Sequence, residues 1–429
     1  MKINIITLGC SKNSVDSEVI ASSYAKMGHQ VVFEEECPSN IVLVNTCCFI
    51  KDAKEESIEE IFHQLDRKNE GLTQKVYVVG CMAQRYKDEL MQEIPEVDGF
   101  YNFAELAKLL ENTNFDLLTN EGRTLSTPKH YAYLKISEGC NRRCSFCAIP
   151  NIRGNQISKP IDLLIKEGTS LANSGVKELI LIAQDLTNYG IDITKEKNLD
   201  QLLLRLVDIK GIEWIRLHYA FPYHFPYKVL DVMSAYPQVC NYLDIPIQHV
   251  SEKVLQSMSR PSSEKEILQL IDTIRNKIPD ITLRTTLLSG FPTEGKKEHD
   301  ELVHFVEKVR FNRLGVFSYS AEEDTPAFPL GDPVKPKEKE RRVQEIMELQ
   351  EGISLELNAQ KVASIMRVLT DSFEEEENCY IGRTEGDSPD VDNEVIIGTE
   401  QPLTVGNFYD IEIMEALPYS LIGEYRKLL

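Results

Sequence analysis

The sequence predicts an α/β protein in three parts: an N-terminal parallel-sheet domain over 1–125, an open, partial (βα)6 barrel over 131–358, and a small antiparallel β-barrel over 361–429. Three observations predict it. Short apolar strand runs alternate with helical patterns in two successive series, the signature of parallel sheets. Stretches of Ser, Thr and Pro interrupt the alternation between and after the series. From Val362 onward the signal changes to short strands parted by Gly, Asp and Pro turns, as in a small barrel. A chain of 429 residues is also too long for one ordinary core.

In the first series the strands are Ile3–Leu8, Ile41–Asn45 and Lys75–Val79, followed by helices over Ser14–Met27, Ala53–Leu65 and Gln84–Glu93. Ser126–His130 reads as a linker. The second series opens with the strand Tyr131–Ile136 and the helix Asp162–Asn173, and continues with strands at Lys177–Ala183, Trp214–His218, Tyr242–Ile247, Ile281–Leu288 and Leu314–Tyr319. Six strand–helix units suit an open barrel, whose functional loops lie at the C-terminal mouth of the strands. Pro326–Pro336 breaks this pattern, and Lys337–Asn358 is a charged helix. The last strands are Met366–Thr370, Cys379–Arg383, Val395–Ile397, Phe408–Met414 and Ser420–Tyr425.

The cysteines carry the chemistry. Cys140, Cys144 and Cys147 form a C-x3-C-x2-C set in the loop after the first barrel strand. Four thiolates close a cubane iron–sulfur cluster, so three leave one iron open to a substrate or cofactor. Zinc would normally require a fourth N or S ligand, and neither a second C-x2-C pair nor a nearby His is present. Each strand of the first series also ends in a cysteine: Cys10, Cys47 and Cys81. Ligands of open α/β sheets gather at the carboxyl ends of strands, so these three would converge as a second set one ligand short. Three unrelated buried thiols are the alternative. Cys48 adjoins Cys47 and leaves the choice between them open, whereas Cys37, Cys240 and Cys379 read as structural. Gln184, Gln248 and Gly290 follow barrel strands at the mouth and are candidate cofactor-binding positions, with strand-end packing as the alternative.

Composition limits the partners. Formal net charge is −21, from 68 acidic and 47 basic residues. Such a chain repels polyanions unless it has a local basic patch, and it attracts basic partners. Residues 361–429 hold fifteen acidic and five basic side chains. A barrel that grips RNA would carry a basic face. Ten cysteines without an export signal read as cytoplasmic metal chemistry rather than a disulfide framework. Thr7–Cys10 has the outline of a lipoprotein box, but the apolar stretch before it is too short and contains Asn4. No run approaches the ~18–20 apolar residues of a membrane span.

The segment Ser137-Glu138-Gly139-Cys140 through Cys147, with Phe146 before the last cysteine, resembles the radical S-adenosylmethionine (SAM) superfamily. Together with Leu8-Gly9-Cys10, Val44-Asn45-Thr46-Cys47, Gly80-Cys81 and Arg153-Gly154, it makes the whole chain similar to the radical SAM methylthiotransferases. The resemblance implies two [4Fe–4S] clusters, one held by Cys140, Cys144 and Cys147, and an auxiliary one held by Cys10, Cys47 and Cys81. It places the ligand directly after Asn45-Thr46, which favours Cys47 over Cys48, and it implies a C-terminal TRAM barrel. It further implies that SAM binds the open iron, that an electron donor is needed, and that SAM is cleaved to a 5′-deoxyadenosyl radical. One branch of the family modifies tRNA adenosine, and another modifies an aspartate of a small-subunit ribosomal protein. Gln184–Gly190, Tyr242–His249 and Gly382–Pro389 resemble the second branch, and the acidic C-terminal part agrees with a basic protein substrate. A basic stripe across Lys335–Arg342 would favour tRNA instead.

Overall fold

The computed structural model describes residues 1–119 and 122–425. The N-terminal sheet consists of β1 (Lys2–Thr7), β2 (Gln30–Phe33), β3 (Ser39–Thr46), β4 (Thr73–Gly80) and β5 (Gly99–Phe100). All pairings are parallel, in the order β2-β1-β3-β4-β5. Ile3, Ile5, Val42, Leu43, Val44, Val76 and Val78 are buried, as expected for strands covered on both faces. β2 and β5, not expected from the sequence, are edge strands of four and two residues, too short to show a periodicity.

Helices α1 (Ser11–Lys26), α2 (Lys51–Asn69) and α3 (Cys81–Glu93) follow β1, β3 and β4. α1 is buried nearly all round although many of its residues are polar. Its carboxylates are matched by cations from later in the chain: Asp16 by Lys135 and Arg153, and Glu18 by Arg123. α1 thereby joins the first domain to the second.

The central sheet has six parallel strands: β6 (Tyr131–Lys135), then β9 (Glu178–Ile182), β10 (Trp214–Leu217), β11 (Val239–Asp244), β12 (Thr282–Ser289) and β13 (Arg313–Ser318), paired in sequence order. Between β6 and β9 lies a two-residue antiparallel pair, β7 (Ser137–Glu138) with β8 (Ile157–Ser158). β11 begins and ends three residues before the expected Tyr242–Ile247. Pro246, which has no N–H for a ladder, marks the limit. Alternate side chains divide the strands. Leu179, Leu181, Ile215, Leu217 and Leu243 pack under the helices, while Glu178, Arg216, Tyr242 and Arg284 belong to the other face.

That polar face is completed by the C-terminal barrel, formed by β14 (Ile365–Glu374), β15 (Cys379–Arg383), β16 (Glu394–Gly398), β17 (Phe408–Ala416) and β18 (Ser420–Tyr425). The ring closes in the order β14-β15-β16-β18-β17. It is not wholly antiparallel: β16 and β18 run parallel. Five strands cannot alternate direction around a closed ring, so one pairing must be parallel.

The loop between β15 and β16 enters the central sheet. Arg216 Nη1 donates to the Glu385 carbonyl at 2.6 Å, Tyr242 Oη donates to Asp392 at 2.7 Å, and Arg313 Nε donates to Asp387 at 2.8 Å. His218 Nε2 lies 2.8 Å from Ser388 Oγ. Trp214 meets Phe408 edge-on at 4.7 Å. The long helix Pro336–Ala359 supports the barrel through bonds from Ser354 and Asn358 to the Leu417–Pro418 carbonyls.

Candidate functional site

The chain places Cys10, Cys47 and Cys81 at three strand-to-helix turns on one edge of the first sheet. Cys10 is the N-cap of α1, Cys47 follows β3, and Cys81 is the first residue of α3. β1 and β3 are adjacent while their neighbours in sequence lie elsewhere, so the first two turns flank a topological switch point. Gly9 makes the approach possible: its φ is +91°, and a Cβ there would lie 2.6 Å from Cys47 Cβ and 2.8 Å from Cys47 Sγ. Asn13 ties the turns together. Its Nδ2 donates to the Leu8 and Thr46 carbonyls at 2.9 and 3.0 Å, and its Oδ1 accepts from the Cys81 thiol at 3.7 Å.

Cys47 and Cys48 face different surroundings. Cys47 is close enough to Cys10 and Cys81 for their charges to act on it. Cys48 is fully buried in an apolar cluster with Ile61, Val78 and Met82 that also includes Cys81, whose charge acts on it as well. Burial pushes both thiols up to about 12. Cys10 is exposed.

Cys140, Cys144 and Cys147 stand together in the loop after β6, at the C-terminal mouth of the central sheet. The Arg142 backbone N–H donates to Cys140 Sγ at 3.3 Å, and Arg260 Nη1 donates to Cys144 Sγ at 3.6 Å. The Phe221 ring lies between these arginines, 4.1 Å from one guanidinium carbon and 4.3 Å from the other. Burial raises the Cys140 thiol to about 11 and the Cys147 thiol to about 12. Phe146 packs beside Val254, Met258 and Phe291. Arg142 and Arg143 differ: Arg142 is ion-paired to Asp185 at 2.8 Å, while Arg143 donates to Asn155 Oδ1 at 2.7 Å.

Arg153 connects the two sets. Its guanidinium donates to Cys81 Sγ at 3.3 Å, Asn13 Oδ1 at 2.6 Å, Asp16 Oδ2 at 2.8 Å and Glu138 Oε2 at 3.0 Å. Glu138 adjoins the Cys140 loop. Burial opposes its ionisation, but Arg153 and Lys135 outweigh burial and hold the carboxyl well below the usual range. Sequence reading noted Arg153-Gly154 only as a shared phrase and gave no role to Asn13 or Glu138. Arg153 meets Asn13 and Asp16 across more than a hundred residues, and such contacts leave no local pattern.

The three candidate cofactor positions differ from one another. Gln184 Nε2 donates to Glu138 at 2.9 Å, and its Oε1 is buried without a partner among the described residues, open to a ligand donor. Gln248 holds φ +70°, a strained backbone region, and its half-buried side chain makes no hydrogen bond among the described residues. Gly290 is closely packed: a Cβ there would fall 2.6 Å from Lys339 Cγ, and its N–H donates to Glu294 at 2.5 Å. His249, read as structural, is fully buried, with Nδ1 accepting from the Ser251 N–H at 3.0 Å.

The donor chemistry fits iron–sulfur clusters. Each set offers three thiols and no fourth, beside arginines that favour thiolate. Among the described residues no three Cys, His, Asp or Glu side chains are gathered closely enough for a single ion. A cubane spreads its thiolates over separate irons, so that spacing is compatible with a cluster. Arg153→Lys keeps the charge but loses the fork. It is expected to lower auxiliary-site iron retention or turnover by about 10- to 100-fold, measured by iron content and product yield.

The basic stripe that would favour RNA is reduced at Lys335–Arg342 to the exposed Lys335 and Lys337. Lys339 is buried against Asp332, Arg342 is buried against Glu294 and Glu338, and Arg341 pairs with Glu338 and Glu345. On the C-terminal barrel Asp371, Asp387 and Asp392 are used internally by Arg383, Arg313 and Arg284. Ten carboxylates of the barrel remain exposed, among them Glu374–Glu377, Asp390 and Asp410, against one exposed described base, Arg367, which pairs with Glu213. Arg426 and Lys427, also counted in the sequence, lie outside the described residues.

Comparison with known proteins agrees with this arrangement. Residues 2–102 match the Uncharacterized protein family UPF0004, residues 134–306 the Radical SAM superfamily, and residues 362–425 the TRAM domain. The ribosomal protein uS12 methylthiotransferase RimO of Christiangramia forsetii is 49% identical over 99% of this chain and 94% of its own length. That of Flavobacterium psychrophilum is 49% identical over 99% and 98%, and that of Bacteroides fragilis 48% over 98% and 98%. Among solved structures, the radical S-adenosylmethionine methyltransferase TsrM from Kitasatospora setae, with cobalamin and a [4Fe–4S] cluster bound, aligns over 85% of this chain and 78% of its own. Its TM-score is 0.54 at 13% identity, a likeness of fold.

Proposed function

The chain belongs to the family of ribosomal protein uS12 methylthiotransferases, and from that premise we propose that it adds a methylthio group to the β-carbon of an aspartate in protein uS12. It is a radical SAM enzyme, using a [4Fe–4S] cluster and SAM. In the finer reading, Cys140, Cys144 and Cys147 hold that cluster, and Cys10, Cys47 and Cys81 hold a second, auxiliary one. When bound, the clusters and SAM supply one-electron cleavage, the methyl group and the sulfur. An electron donor is required, and the reaction is placed in the cytoplasm. Among the described residues no helix is long and apolar enough to cross a membrane.

The chain's own residues then have defined tasks. Arg153 holds the turn of Cys81 against Glu138 and so fixes one thiol set relative to the other. Gln184 presents its free Oε1 at the mouth, and Gln248 is held there by strained backbone, both suited to SAM. Arg142 and Arg260 cover the Cys140–Cys147 loop with Phe221 and limit water. The exposed carboxylates of the TRAM barrel steer a basic protein toward the enzyme.

The observation that carries the reading is the pair of three-thiol sets, with one guanidinium joining Cys81 of the first to Glu138 beside the second. The test is anaerobic reconstitution with SAM, sulfide and a reductant, one reaction with uS12 and one with tRNA, read by mass spectrometry. A methylthio gain on a uS12 aspartate alone is expected. A gain on tRNA adenosine would replace the protein substrate with RNA.

A further inference from the structure

Lys12 is a buried cation with no carboxylate partner among the described residues. It is 7% exposed, and it is the second residue of α1, whose first turn contains no acid. A cation is electrostatically misplaced at that end of a helix, where the peptide dipoles already present positive charge. Its ammonium lies over the Tyr219 ring, 3.1 Å from the centroid. Among the described residues it has no carboxylate partner. The other cations near it do: Lys135 and Arg153 hold Asp16, Arg142 holds Asp185, and Arg284 holds Asp244. Those carboxylates have further partners, since Asp244 also accepts the Tyr219 N–H at 3.1 Å and Asp185 accepts the Thr187 N–H at 2.9 Å. The Tyr219 ring offsets part of the cost of burying this ammonium, and an anion would offset the rest.

The place of Lys12 indicates which anion. It follows Cys10 by two residues. Tyr219, beneath it, is held at φ +64° just after β10 and begins the segment whose Phe221 ring lies between the arginines of the Cys140–Cys147 loop. Lys12 therefore joins the Cys10 turn to the segment 219–221 that packs on the arginines of the Cys140–Cys147 loop. A group transferred to the β-carbon of an aspartate arrives one bond away from that residue's carboxylate.

We propose that the Lys12 ammonium receives the side-chain carboxylate of the target aspartate and thereby sets the specificity for aspartate. This rests on the uS12 reading above. SAM carries a carboxylate as well, so the test separates the two sources.

The experiment measures binding, not turnover. Recombinant uS12, with its target residue as Asp or as Asn, is titrated against the cluster-reconstituted enzyme and its Lys12→Met variant, and SAM affinity is measured on both enzymes. The native enzyme is expected to bind the Asp form about ten-fold or more tighter than the Asn form, as a charge-assisted contact would. Lys12→Met should erase that preference and leave SAM affinity unchanged. Equal binding of the two forms by the native enzyme overturns the proposal without reference to any enzyme variant. A preference that survives in Lys12→Met overturns it too, and so does a loss of SAM affinity with the preference intact, which would assign Lys12 to SAM. If the native enzyme binds neither form while still binding SAM, the uS12 reading fails and this assignment with it.

Discussion

Cys47→Ala is expected to abolish methylthio transfer while SAM cleavage continues, and Cys48→Ala is expected to leave both in place. The two thiols are neighbours in sequence and both lie within electrostatic reach of Cys81, but their packing differs. Cys47 packs against Gly9, whose missing side chain makes room for it, and lies within electrostatic reach of Cys10, Cys81 and Arg153. Cys48 is enclosed by Ile61, Val78 and Met82, with no accessible surface. Loss of one of three protein thiolates removes a corner of the auxiliary cluster, so Cys47→Ala should lose about four of about eight irons per chain. Loss of a buried sulfur from the apolar cluster should cost only about 1 kcal/mol of stability. Iron and acid-labile sulfide content, with 5′-deoxyadenosine and methylthio yields, checks both. If Cys48→Ala loses the iron and Cys47→Ala keeps it, the two roles are reversed.

Asp387→Ala is expected to loosen the C-terminal barrel by about 3–5 kcal/mol, because it leaves Arg313 buried with its partner gone. Exchanging both residues for apolar ones, Arg313→Met with Asp387→Leu, should recover much of that loss, since no charge is then stranded. Trp214 is the single tryptophan of the chain and meets Phe408 of the barrel, so its fluorescence reports docking. The midpoint of its emission change in denaturant should fall for the single variant and rise again for the pair. Acid acts on the same contact. Burial opposes ionisation of Asp387, but Arg313 and Lys361 prevail and hold its carboxyl below the ordinary range. A depressed carboxyl stabilises above its unfolded pKa, ~3.9, and loses that contribution as pH falls through the lower folded value. Barrel docking should therefore tolerate mild acid and weaken below about pH 4. Release of the barrel near neutral pH would contradict the pairing.

Much of this was legible in the sequence because it depends on short-range pattern. The apolar runs of β1, β3 and β4 and the six strands of the central sheet carry enough periodicity to be found. Cys379–Arg383 and Ser420–Tyr425 have the expected bounds. The C-x3-C-x2-C set is local by nature. The convergence of Cys10, Cys47 and Cys81 was also readable, since strand ends of a parallel sheet share one edge. At Gly290 the sequence offered both a ligand position and strand-end packing, and its neighbours, the Lys339 stem and the Glu294 carboxylate, come from contacts that no local pattern announces.

The sequence by itself determined the three-part order, the two thiol sets and the excess of acid in the last part, because each is a property of composition or of spacing along the chain. Only the tertiary structure decided which charges are available. Asp371, Asp387 and Asp392 counted as surface acid until folding placed them against Arg383, Arg313 and Arg284. Lys339 and Arg342 counted as a basic stripe until folding buried them. Lys12 looked like any helix lysine until Tyr219, more than two hundred residues later, covered it. The reason is physical: the worth of a charge depends on its burial and on its partner, and both are set by contacts between residues far apart in the chain.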